Sequence, residues 1–96
     1  MTRSFVIREP RYFSYLDEKN FFSWLDSIDD VTEVIGSADG LRVNIIESGL
    51  SRAGLSDLIA ILARYSVDMR PLHGVVSDDD KTWFAEPSSY WHKMAF

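Results

Sequence analysis

The stretch Val31-Thr32-Glu33-Val34-Ile35-Gly36-Ser37-Ala38-Asp39-Gly40-Leu41-Arg42-Val43-Asn44-Ile45 decides the fold of this chain. Residues 41–45 alternate strictly between apolar and polar, the period of two expected of a strand with one face buried. Residues 31–36 have the β-branched character of a strand that precedes it. Between them, Ala38-Asp39-Gly40 is a turn signal, because Asp and Gly tolerate the positive φ of tight hairpins. A β-hairpin over residues 31–45 is therefore expected.

On the N-terminal side, Phe21, Trp24, Leu25 and Ile28 fall at i, i+3, i+4 and i+7 and predict a helix over about 15–28. Ser14 followed by Asp17 resembles a capping box with Asp in the place of Glu. Asp17 and Glu18 suit the positive end of the helix dipole. Arg3 to Glu9 reads as a first strand around Phe5-Val6-Ile7, closed by Pro10. On the C-terminal side, Leu55, Leu58, Ile59 and Leu62, widened by Ile61, predict a second helix. Ser51 is its cap, Gly54 a debit of about 1 kcal/mol in its first turn, and its end falls near Tyr65 and Ser66, ahead of Pro71. Residues 71–76 are expected as a short edge strand, residues 77–80 as a solvated loop, and residues 90–96 as a last short helix.

A helix between two strands favours a right-handed crossover with those strands parallel. The expected class is therefore α+β: a small β-α-β-β-α sandwich, ferredoxin-like or of the split β-α-β type, with a short C-terminal helix. Residues 1–96 make a single domain, since no linker or repeat divides them. Five of the thirteen aromatic residues, Trp83, Phe84, Tyr90, Trp91 and Phe96, lie in the last fourteen positions. Aromatic rings bury ~150–250 Å² each, so this tail is expected to pack on the core, with Tyr90 and His92 nearer the surface.

Composition excludes several functions. There is no cysteine, which removes disulfides, thiolate metal sites and cysteine nucleophiles. The net charge of −5, from ten basic against fifteen acidic residues, disfavours direct binding to nucleic acid. No apolar run reaches the ~20 residues of a membrane helix or forms a signal-peptide core, so no membrane association and a cytoplasmic location are expected. His73 and His92 have no metal-ligand spacing, no serine sits in a nucleophile elbow, and the glycines form no phosphate loop. The reading is of a protein that is not an enzyme and needs no cofactor or metal. An enzyme site assembled from Arg64, Asp68 and His92 is the least favoured reading.

Two acidic clusters remain as candidate partner-binding residues: Asp26, Asp29, Asp30 and Glu33 at the end of the first helix, and Asp78, Asp79 and Asp80 in the late loop. Acids at a helix C-terminus oppose its dipole by about 0.3–1 kcal/mol, a local conflict that partner recognition would explain.

Three further runs are Ile7-Arg8-Glu9-Pro10-Arg11-Tyr12-Phe13, Phe21-Phe22-x-Trp24-Leu25 and Leu58-Ile59-x-x-Leu62-x-Arg64-Tyr65-x-x-Asp68-Met69. With Trp83-Phe84 and Tyr90-Trp91-x-x-Met94-x-Phe96 they resemble a loose group of small bacterial αβ proteins. Some of that group look like immunity proteins encoded beside polymorphic or contact-dependent toxins. The resemblance implies a non-catalytic binder whose partner is a cognate protein toxin, with a basic nuclease fitting the acidic clusters. It supplies no catalytic residues. The alternative is a homodimeric ferredoxin-like small-molecule-binding or regulatory module.

Overall fold

The computed structural model describes residues 3–96 and is an α+β fold with one open three-stranded sheet and four helices. Strands β1 (Arg3–Ile7), β2 (Val31–Ser37) and β3 (Gly40–Ile45) are ordered β1-β3-β2, and both outer strands run antiparallel to β3. β1 and β2 are thus parallel to each other with β3 inserted between them. This is the split β-α-β arrangement, and α1 (Tyr15–Ser27) is its crossover.

Register sorts the side chains. Phe5 faces Val43 and Ile7 faces Leu41 on the covered side, all four buried, while Val6 and Ser4 face Arg42 and Asn44 on the open side. A bulge between Val31 and Glu33 shifts β2 so that Val34 meets Val43 and Ile35 meets Arg42. Gly40 is required by the turn. Its φ is +137°, and a Cβ there would strike the carbonyl of Ile7, with the carbonyl carbon at 3.1 Å.

Helix α2 (Arg52–Arg64) buries Leu55, Leu58, Ile59, Ile61 and Leu62, a band too wide for the sheet alone to cover. Its second side is closed by the C-terminal segment. Arg52 lies over the Trp83 ring at 4.4 Å, and Tyr90 shares a surface hollow with Ala60 and Ala63. α1 meets the other end of α2 through Phe21 and Tyr65, whose ring centroids are 4.8 Å apart. α2 ends where expected, ahead of Pro71: Tyr65 is its C-terminal cap, and Ser66 takes φ +57° while Val67 N–H donates to Leu62 O at 2.9 Å.

Residues 71–76 are not an edge strand. They belong to a 3-10 turn over Arg70–Gly74 and its exit, which lies beside β1. The reason is legible in spacing: Leu72, Val75 and Val76 are buried at i, i+3 and i+4, a helical period. Asp68 Oδ1 also accepts from the Arg70 backbone N–H at 3.0 Å, and Pro71 then fits the first turn. Residues 78–80 form a second 3-10 turn that runs into α3 (Lys81–Phe84), and the last helix, α4 (His92–Ala95), is shorter than expected.

The tail packs on this turn and on α2. Phe84 and Trp91 are buried, Trp91 Nε1–H donates to Phe84 O at 2.8 Å, and the Trp83 and Trp91 rings lie 4.9 Å apart. Met69 N–H reaches Met94 O at 3.3 Å. Phe96 departs from expectation. It is half exposed, stacked on His92 and touching His73 and Phe84. Tyr90 stays at the surface.

A candidate protein-docking surface with two poles

The two acidic segments, some fifty residues apart in sequence, converge on the start of α2. Asp30 is buried, and its Oδ2 accepts from the Ser51 backbone N–H at 3.0 Å and from Ser51 Oγ–H at 2.7 Å. Ser51 Oγ in turn accepts from Gly54 N–H at 3.0 Å, which makes Ser51 the cap of α2. The next residue, Arg52, donates through Nε to Asp80 Oδ1 at 2.8 Å, and Ser77 Oγ–H donates to the other oxygen of Asp80 at 3.2 Å. A carboxylate near a helix N-terminus is favoured by the helix dipole and satisfies donors that the helix leaves free.

Asp30 and Asp80 are therefore turned inward and bonded within the chain. Asp26, Asp29, Glu33, Asp78 and Asp79 are exposed. Asp78 has Lys81 Nζ at 2.8 Å, and this contact holds its carboxyl below the ordinary range. Glu33 Oε1 is met by Asn44 Nδ2 at 3.4 Å on the open side of the sheet. The acid run at the end of α1 that opposes that helix's dipole thus has a structural cause at Asp30, whose partner is the next helix.

The opposite end of α2 is basic and aromatic. Two clefts, of about 590 and 540 Å³, share Arg11, Tyr65 and Ser66 as common walls. Arg8 and Arg70 border the first, and Phe13, Trp24 and Arg64 border the second. Arg70 is held by Asp68, Nε to Oδ1 at 3.0 Å, and its backbone and side-chain hydrogen bonds keep the Asp68 carboxyl below its ordinary range. The Tyr65 hydroxyl donates to Asp17 O and accepts from Asn20 Nδ2, both at 3.2 Å, so α1 and α2 are tied where the clefts meet.

Phe13, which borders the second cleft, and Tyr15 and Leu16 just after it in the chain are respectively 84%, 74% and 70% exposed. No other three exposed large apolar side chains lie so close together in sequence among the described residues. Sequence reasoning passed over this group. The signal was present, because Tyr15 and Leu16 lie off the stripe formed by Phe21, Trp24, Leu25 and Ile28, and an apolar residue off the stripe at a helix start has no core to face. Their backbone is fixed all the same. Ser14 Oγ accepts from Asp17 N–H at 3.1 Å, and Asp17 Oδ2 accepts from Phe13 N–H at 3.0 Å, a capping box whose shorter acid reaches one residue further back.

Arg64, Asp68 and His92 share no hydrogen bond. Asp68 is taken by Arg70, and the His92 ring stacks on Phe96 at 4.9 Å. His73 Nε2 lies 2.6 Å from Ala95 O, between the rings of Phe84 and Phe96. Among the described residues no group of three or more His, Asp or Glu is placed to hold a metal ion, and no helix is long and apolar enough to cross a membrane.

The fold and these surfaces define a small α+β protein with charge separated along one helix. Compared with known proteins, the chain matches no family model, no curated protein and no solved structure.

Proposed function

We propose that this chain is a non-catalytic protein-binding protein of the immunity type, one that neutralises a cognate toxin by covering it. The observation that supports this reading best is the convergence of both acidic segments on Ser51 and Arg52. Asp30 and Asp80 stiffen the frame. Asp29 and Asp78–Asp79, exposed and adjacent in the chain to those two anchored acids, offer together with the exposed Asp26 and Glu33 negative charge suited to a basic partner such as a nuclease. Surfaces of opposite charge accelerate encounter and fix orientation. The resemblance to small bacterial immunity proteins points the same way, and in this reading the protein acts in the cytoplasm.

Co-expression with the product of the adjacent upstream gene tests the proposal. A stable complex and relief of toxicity are expected, with slower association when Asp29, Asp78 and Asp79 are changed together to Asn. If no complex forms and toxicity persists, the proposal is dead.

A second reading, a homodimeric small-molecule-binding or regulatory module, draws on the open side of the sheet, where Val6 and the 41% exposed Ile35 lie among polar neighbours. Exposed apolar positions on a sheet face can pair with a second copy. A monomer by light scattering at high concentration removes that reading.

A further inference from the structure

The acidic pole does not account for the arginines. In a chain with five more acids than bases, each guanidinium has carboxylates to choose from. Arg52 takes Asp80 and Arg70 takes Asp68. Yet among the described residues Arg8, Arg11 and Arg64 have no carboxylate within salt-bridge distance, and all three border the paired clefts at the C-terminal end of α2. From Arg52 to Arg64 the helix rises about 18 Å, so this basic groove lies well away from the acidic pole.

We infer that the groove between the end of α2 and the start of α1 is a second docking site, for an acidic segment of a partner protein that carries an apolar residue beside its carboxylates. Charge complementarity selects the acid. Arg8, Arg11 and Arg64 offer forked donors that match a carboxylate in geometry, and none has to abandon an internal ion pair to do so. The apolar requirement comes from Phe13, which lines the second cleft with its ring in solvent, on a backbone that Ser14 and Asp17 hold in place; Tyr15 and Leu16, next to it in the chain, are exposed as well. Arg11 already lies over Phe13, 5.5 Å from its centroid, so charge and ring form one surface. Aromatic residues and arginine are the types that carry most binding energy at protein interfaces, and a fixed backbone lowers the ordering cost of using them.

A nucleic acid strand fits less well. Glu9 and Asp68 line one cleft and Asp17 the other. A chain of regularly spaced phosphates would meet those carboxylates as well as the arginines, whereas a peptide can place its acids selectively. The inference is independent of the proposed function, because it concerns the other end of α2.

The test is selection of random peptides of about eight residues, some 26 Å when extended, displayed on phage against the immobilised protein. Selected sequences are expected to pair Asp or Glu with an aromatic or aliphatic residue. The synthetic form of the best one should change the fluorescence of Trp24, which lines the groove. Arg11→Gln with Arg64→Gln should weaken its binding about ten- to a hundredfold. Phe13→Ser should do so by at least about tenfold, and Asp78→Asn with Asp79→Asn should leave it unchanged. All these side chains are exposed, and unaltered circular dichroism of each variant shows that the fold is kept. Selected peptides without acidic enrichment, or binding indifferent to the arginine pair, would overturn the inference. So would a single-stranded oligothymidylate that binds more tightly than any peptide at the same salt, since the site would then be one for nucleic acid.

Discussion

Replacing Gly54 with alanine should weaken this protein, although the same change inside most helices strengthens them. Glycine costs about 1 kcal/mol relative to alanine at an interior helical position, so propensity alone predicts a gain of that size. Gly54 is buried in the first turn of α2, where the Asp30 carboxylate lies against its Cα. A Cβ there would collide with Asp30 Oδ2, stand 2.9 Å from its Cγ and 3.3 Å from Ser51 Oγ. Asp30 cannot yield cheaply, because its short side chain is held by two donors of Ser51. Moving it aside removes two hydrogen bonds to a charged acceptor, worth about 1.5–3 kcal/mol each, part of which water restores to a displaced carboxylate. Set against the propensity gain, the expected net loss is about 1–3 kcal/mol, or roughly 5–20 °C in Tm for a domain of this size.

Four proteins in a double-mutant cycle, followed by thermal and urea unfolding, check this. Gly54→Ala should be destabilising in the native background. In an Asp30→Ala background the obstruction is gone, and the same substitution should be neutral or raise Tm. The double variant is then more stable than the sum of the single effects by about 1–4 kcal/mol. If Gly54→Ala raises Tm with Asp30 present, the reasoning fails, and Asp30 returns to the set of residues free to bind a partner.

Other consequences follow from the same contacts. Arg52→Ala should cost about 1–2 kcal/mol in urea unfolding, since it leaves the inward Asp80 with only Ser77 and uncovers Trp83; an unchanged midpoint would show that the ion pair is incidental. Burial, then the hydrogen bond its hydroxyl donates to Glu9, raises the Tyr12 phenol above its ordinary value of 10.0. The folded state thus favours the neutral phenol, so stability is intact below pH 10 and declines as pH rises beyond it. Tyr12→Phe should flatten that alkaline decline in Tm measured from pH 8 to 11. Deleting residues 90–96 removes Trp91 and the Met94 carbonyl from the turn at Met69; a lower Tm with one cooperative transition is expected, and an unchanged Tm would make the tail a recognition element instead.

The hairpin and both helices were legible because their patterns are local. Alternation in residues 41–45 and the stripe through Phe21, Trp24 and Leu25 each report a face that one sheet or one helix must bury. The split β-α-β class was legible from element order, but whether β3 inserts between β1 and β2 or flanks them stayed open, since the pattern on β3 is the same at an edge or in the centre. Residues 71–76 misled for a related reason. A short apolar run fits a strand by composition, and only the spacing of Leu72, Val75 and Val76 gives away the turn.

Legibility at the candidate site divided along similar lines. The acidic runs stood out as charge, yet sequence offers no way to see that Asp30 and Asp80 point inward, because their partners Ser51 and Arg52 are more than twenty residues distant. One indirect trace existed. A glycine in the first turn of an otherwise strong helix implies a neighbour that needs its space, and here that neighbour is Asp30.

That pairing bears on how the two poles work together. Asp30 joins the exit of α1 to the start of α2, and Tyr65 joins the end of α2 back to the first turn of α1. Each tie is beside one of the charged surfaces, so α1 and α2 are clamped at both ends and cannot slide without breaking a polar contact at one pole. A rigid pair of helices holds the acidic pole and the arginine groove at a fixed separation, set by thirteen residues of α2. A partner with a basic surface and an acidic segment at the matching distance could engage both at once, and the second contact would then form at high effective concentration. If a single partner bridges the poles, neutralising either surface should weaken binding by far more than the loss of its own contacts. If two partners bind independently, each set of substitutions should affect only one of them.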